Sequence, residues 1–106
     1  MGQIVIAAFK PKPGKDDELK QVIADRLPLL RRLGLSTDRV NITMRSKNGT
    51  IIDVSEWVDD DAIKRAHETP EVHELWKRFD ECSEYVKLES LDEINMEFAC
   101  FESVEL

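Results

Sequence analysis

The chain has 106 residues, 42% of them hydrophobic and 35% charged, and a formal net charge of -7 at pH 7. That length supplies one core and one domain over residues 1–106, no apolar run reaches the ~18 residues a membrane span requires, and the acidic balance disfavours nucleic acid, whose phosphates it repels. Met1-Gly2-Gln3-Ile4 lacks the basic region and long apolar run of a secretory leader, so a cytoplasmic location is expected, with Cys82 and Cys100 reduced rather than paired.

The first predicted strand covers Gln3 to Lys10. Ile4, Ile6 and Ala8 face one way and Val5, Ala7 and Phe9 the other, so the strand is expected to be buried on both sides. Pro11-Lys12-Pro13-Gly14 ends it, because proline cannot donate to a central ladder. A helix follows over about Asp16 to Leu33. Asp16 or Asp17 can cap it, and Glu18 suits its positive end. Leu19, Val22, Ile23, Leu27, Leu30 and Leu33 form one apolar stripe. Pro28 lies inside that stripe and is expected to kink or split the helix near Arg26. Gly34 is a natural stop.

The second strand, about Arg39 to Ser46, alternates Val40, Ile42 and Met44 with Asn41, Thr43 and Arg45. Asn48-Gly49 then turns the chain into a hairpin. The third strand, Thr50 to Val58, runs antiparallel to the second. It shows Ile51, Asp53, Ser55 and Trp57 on one face and Ile52, Val54, Glu56 and Val58 on the other. A second helix begins near Asp59 or Asp60 and breaks at Thr69-Pro70, which reads as a fresh N-cap with proline at the first helical position. Its continuation places Val72, Leu75, Trp76, Phe79, Cys82 and Val86 on one stripe. Lys87 to Glu93 reads as a loop, and Asn95 to Val104 as the last strand.

The order β-α-β-β-α-β predicts an α+β, ferredoxin-like fold: an antiparallel sheet with both helices on one face. The other sheet face is then open, although its strands are apolar. No element is left to cover it, so a homodimer formed through the sheet face is expected.

Both Trp and both His of the chain fall between Trp57 and Trp76. Scarce aromatic and imidazole groups gathered in this way mark a candidate pocket. The same stretch carries a resemblance. An opening strand is followed by Lys12-Pro13-Gly14-Lys15 and a long helix. A later strand ends in Ser55-Glu56-Trp57, then come an acidic turn and a helix reading Ala66-His67-Glu68-Thr69-Pro70-Glu71-Val72-His73, and a Phe-containing strand closes the chain. Most of the chain resembles the dimeric α+β barrel superfamily, and within it the antibiotic-biosynthesis-monooxygenase-like domains. The resemblance implies two sheets packed face to face as a dimeric barrel, with activity on phenols or quinols by O₂ without a cofactor, or binding of a small aromatic ligand. It also implies a pocket role for Trp57 and matches His67 and His73 to positions that are often His. Haem-degrading relatives carry an Asn on the first strand. Ile4 to Phe9 contains none, so no haem or other cofactor is expected.

Cofactor-free oxygenation needs a base to make the phenolate and donors to hold developing charge. His67 and His73 are the candidate bases, since imidazole titrates near neutrality. Asn41, Arg45, Ser55 and Trp57 are candidates to hold oxygens, with Asp53 and Trp76 in the same pocket. Each has a plainer reading. His73 sits beside Trp76 on one helical face and fits a surface role. His67 fits a helix-end cap, Trp76 and Trp57 fit the core, and Asn41, Thr43 and Arg45 fit a solvated strand face. His67 and Glu71 have the spacing of two metal ligands, but nothing else joins them and Pro70 disrupts the register, so no metal is expected. Two functions stay open: a cofactor-independent monooxygenase, and a non-catalytic dimeric module that binds a small ligand or a partner protein.

Overall fold

In the computed structural model, which describes residues 2–106, the chain runs β1 (Gln3–Pro11), α1 (Asp16–Arg32), β2 (Ile42–Arg45), β3 (Ile51–Trp57), α2 (Ala62–His67), α3 (Pro70–Cys82), β4 (Ser83–Val86) and β5 (Glu102–Ser103). Two 3-10 turns, Leu88–Ser90 and Asp92–Asn95, lie between the last two strands. All pairings are antiparallel, in the order β4-β1-β3-β2-β5. The first four strands give the ferredoxin-like order, and β5 adds two residues to the β2 edge.

The helix α1 runs unbroken through Pro28, so the expected split near Arg26 does not occur. Leu19, Val22, Ile23 and Leu30 are buried along one side and hold the helix against the sheet, while Pro28 is exposed. Tertiary packing of the apolar stripe outweighs the one lost backbone bond. The β2–β3 hairpin turns at Gly49, whose φ of 93° is closed to most other residues. The break at Thr69-Pro70 falls where expected: Thr69 is extended, Pro70 opens α3, and Thr69 Oγ1 donates to Arg65 O at 2.8 Å.

The larger departure is at the end of α3. The helix stops at Cys82, and Ser83 to Val86, read from the sequence as helix through Val86, forms β4. Ser83 Oγ donates to Phe79 O at 2.7 Å and satisfies a terminal helical carbonyl. The backbone then turns extended, and Tyr85 and Val86 pair with Phe9 and Ala8. Since β4 takes the β1 edge, the expected strand Asn95 to Val104 has no edge there, and only Glu102–Ser103 is left as strand, on β2.

The register sorts the faces. On the helix side, Tyr85, Phe9, Ile51 and Arg45 lie abreast, and Ala7, Asp53 and Thr43 form the next row. On the far side, Val86, Ala8, Ile52 and Met44 form one row and Ile6, Val54 and Ile42 the next. Leu91, in the bend between the 3-10 turns, packs on Ala8 and Ile52. The expectation that no element covers the far face is thereby corrected for the first of those rows. Ile4, Ile6 and Ile42 stay exposed, so β1 is not buried on both sides within the protomer.

Candidate functional site

The helix-facing side of β3 carries Asp53, Ser55 and Trp57 in succession. Polar side chains under a helix need internal partners, and α1 supplies one. Arg26 falls within the apolar stripe of α1 and is only 8% exposed. Its Nη1 donates to Asp53 Oδ2 at 3.0 Å and to Ser55 Oγ at 3.2 Å. Its guanidinium carbon stands 5.8 Å from the centre of the Trp57 ring, within cation–π range. Partners also come from the β2 side. Thr43, opposite Asp53 in the register, donates to Asp53 Oδ1 at 3.1 Å, and Asn41 Nδ2 donates to the same oxygen. Asp53, 2% exposed, thus accepts on both carboxylate oxygens.

Burial pushes the Arg26 guanidinium below the ordinary arginine value, and the Asp53 charge offsets part of that shift. At this site Asn41 Oδ1 and Trp57 Nε1 are buried with no hydrogen-bond partner among the described residues. Each is an enclosed polar atom whose lost hydration is not repaid by a hydrogen bond.

Beside the network lies a cleft of about 390 Å³ between α1 and the β2 edge. Ile23 and Leu27 form its apolar wall, Asn41 and Thr43 its polar wall, and Val104 part of its far side. Val104 N donates to Thr43 O at 3.0 Å, which holds the C-terminal segment against the cleft. The volume is in the range of small-molecule pockets, and a few polar groups on an apolar lining is their usual make-up.

Of the residues expected from the sequence, Asn41, Asp53, Ser55 and Trp57 come together here. Arg45 does not join them; it lies at the end of β2 and pairs with Glu102 of β5 at 3.5 Å. Trp57 is 7% exposed and packs among Leu30, Leu35, Ala62, Ala66 and Val72. The space between Trp57 and α2, within the stretch read as a candidate pocket, is therefore filled. Ala62 and Ala66 are small, so α2 packs close and the indole takes the space. His67, Trp76 and His73 form a separate group on the helices. The two ring contacts to Trp76 are 4.8 Å for His67, edge-on, and 6.0 Å for His73. His73 Nε2 bonds the main-chain oxygen of His67. Both imidazoles are exposed and Trp76 is half-buried; none of the three lines the cleft.

Arg26 and Thr43 join the site without having been among the candidates. Arg26 left a signal: it sits three after Ile23, four after Val22 and four before Leu30, a charge inside an apolar stripe, which burial tolerates only with a partner. Thr43 left none beyond its place between Asn41 and Arg45 on an alternating strand.

Residues 2–78 match the family model described as antibiotic biosynthesis monooxygenase. No curated protein matches the chain. Among solved structures the chain is similar to SnoaB, a cofactor-independent oxygenase from Streptomyces nogalater, with 17% sequence identity and a TM-score of 0.68 over 80% of this chain and 86% of that one; at that identity the likeness concerns the fold. No helix among the described residues is long and apolar enough to cross a membrane. With a family match that runs from the start of β1 into α3 and a ferredoxin-like sheet order, the chain belongs to the antibiotic biosynthesis monooxygenase family.

Proposed function

We propose that the cleft beside α1 is the ligand site and that the protein oxygenates aromatic phenols or quinols without a cofactor. The observation that carries this reading is the buried Arg26–Asp53 pair directly behind Asn41 and Thr43, the two polar residues that line the cleft. A buried ion pair contributes little to stability by itself, whereas it orients both cleft-facing side chains through one carboxylate oxygen. Arg31, on the wall of the cleft, carries a positive charge that favours a phenolate over a phenol. Solvent takes the phenolic proton, the anion is electron-rich and O₂ is the oxidant, one oxygen entering the ring and the other leaving as water with the electrons supplied by the substrate, so the protein needs to bind and orient the anion. Family membership and the fold shared with a cofactor-independent oxygenase support the same reading.

One observation favours a second reading, a small-ligand module without catalysis. His67 and His73, the bases expected from the sequence, stand outside the cleft, and Asp53 is fully engaged. Oxygen uptake with a panel of dihydroxynaphthalenes separates the two. Oxygenation predicts uptake above the buffer background, reduced at least about tenfold by Asn41→Leu. Saturable binding with no uptake from any member of the panel selects the module.

We further propose that the protein is a homodimer through the far sheet face. Ile6, Val54 and Ile42 sit abreast there, and Ile4 and Ile42 are more than half exposed at 55% and 56%. A row of this kind across three strands is an interface signature rather than scattered surface apolarity.

A further inference from the structure

The segment Val104 to Leu106 forms one wall of the cleft, and it is fastened on one side only. Just before it, Phe101 packs on the cluster of Ala8, Ile52 and Leu91, and Glu102 pairs with Arg45. The register Arg45↔Glu102 and Met44↔Ser103, carried on, sets Val104 opposite Thr43 and Leu106 opposite Asn41. Residues opposite one another in a sheet share a face, so Val104 and Leu106 belong to the helix side, with the cleft-lining Thr43 and Asn41. The ladder for this segment is begun and not completed. Val104 N donates to Thr43 O at 3.0 Å, but among the described residues Thr43 N makes no return bond to Val104 O, and no main-chain bond joins Asn41 to Leu106. A complete antiparallel pair of this kind exchanges both bonds. Leu106 is 57% exposed, although it lies against an apolar cleft wall.

We infer that residues 104–106 are a strap that zips onto the β2 edge when a ligand fills the cleft. The inference rests on the cleft being the ligand site. Closing the strap fixes backbone that is otherwise free, which costs conformational entropy. A ring lying on Ile23 and Leu27 presents its other face outward, and Val104 and Leu106 cover that face as the ladder closes. The ligand thus binds the zipped state more tightly than the open one, which is the differential affinity that any ligand-driven change requires. The return bond from Thr43 N and the pair Asn41 with Leu106 form in the same step. Once zipped, the strap shields the bound ring from solvent and slows its release.

The test uses the dihydroxynaphthalene panel under anaerobic conditions. NMR of the Ile23 and Leu27 methyl groups reports occupancy of the cleft, and hydrogen exchange of the main-chain amides reports the strap. At saturation with a bound member of the panel, the Thr43 and Leu106 amides should each exchange at least about tenfold more slowly than in the free protein. Leu106→Ser keeps the backbone and changes an exposed position, so folding is retained. It removes the apolar cover, so in this variant the slowing should fall to about twofold and the ligand should dissociate faster. Methyl shifts without slowing at either amide overturn the strap and leave the ligand site standing. Slowing that persists undiminished in Leu106→Ser also overturns the strap, since the ligand itself then shields the amides. If no member of the panel shifts the Ile23 or Leu27 methyls, the ligand site and the strap fall together.

Discussion

Arg26 and Asp53 hold one another in place at a depth where neither is stable alone. Their side chains are 9% and 2% exposed, so losing one partner strands a charge in a low dielectric. Arg26→Ala should therefore cost about 3–5 kcal/mol in urea denaturation. The double change Arg26→Met with Asp53→Leu should recover most of that loss, because apolar replacement of both ions removes the desolvation cost along with the attraction. It should also weaken ligand binding, since Asn41 and Thr43 lose the oxygen that orients them. A double variant as unstable as the single one would refute this account. Trp57 makes a second residue-scale prediction. Packed among Leu30, Leu35, Ala62, Ala66 and Val72, it fills core, so Trp57→Ala should cost about 3–5 kcal/mol. Trp57→Phe should cost much less, because it also removes the buried indole N–H that has no acceptor.

At the scale of elements, the segment after β4 depends on one carboxylate. Glu93, in the second 3-10 turn, accepts from Ser46 Oγ at 2.8 Å and Lys47 N at 2.9 Å, and so clamps the turn to the β2–β3 hairpin. The Lys47 amide and then the Ser46 hydroxyl hold its carboxyl below the ordinary value of 4.5. A depressed carboxylate contributes stability that is fully present above pH 4.5 and lost as pH falls through the folded-state value. Glu93→Gln should lower the melting temperature at pH 7, and the gap to wild type should narrow as pH falls below 4.5. A gap of constant size over that range would show that the charge is not what clamps the turn. The sequence did not announce this clamp. Nor did it mark the end of α3, because Cys82 and Val86 are four residues apart and fit a helical stripe as readily as a helix followed by a strand.

For the whole molecule, the bend at Leu91 divides the far sheet face. One row is covered from within the chain, and the row of Ile6, Val54 and Ile42 is not. That uncovered row makes dimerisation local and testable. Sedimentation at micromolar concentration should give a dimer, and Ile6→Lys should give a folded monomer, since a charge at the centre of an apolar interface is not matched by its symmetry mate. A wild-type monomer, or a dimer indifferent to Ile6→Lys, would move the interface elsewhere.

Much of the fold was determined by sequence alone. The period of Leu19, Val22, Ile23 and Leu30, the alternation along β1 and β3, Asn48-Gly49 and Thr69-Pro70 are local signals, and each acts where it stands. They fixed the element order from β1 to α3, while the strand that completes the sheet beside β1 lies at Ser83–Val86 rather than in Asn95 to Val104. The polar face of Asp53 and Ser55 beside Trp57 was legible too, because alternation puts every second residue on one side. What answers that face was not legible. Arg26 reaches Asp53 across 27 positions of sequence, and only the packing of α1 on β3 brings the two within 3.0 Å. The same packing left the cleft beside α1 and filled the space around Trp57. It also kept His67 and His73 on the outer helices, although they lie near Trp57 in sequence. Chain proximity sets which residues can share a helix face. Which face closes on which strand is decided by burial summed over the whole core, and that sum exists only in the folded molecule.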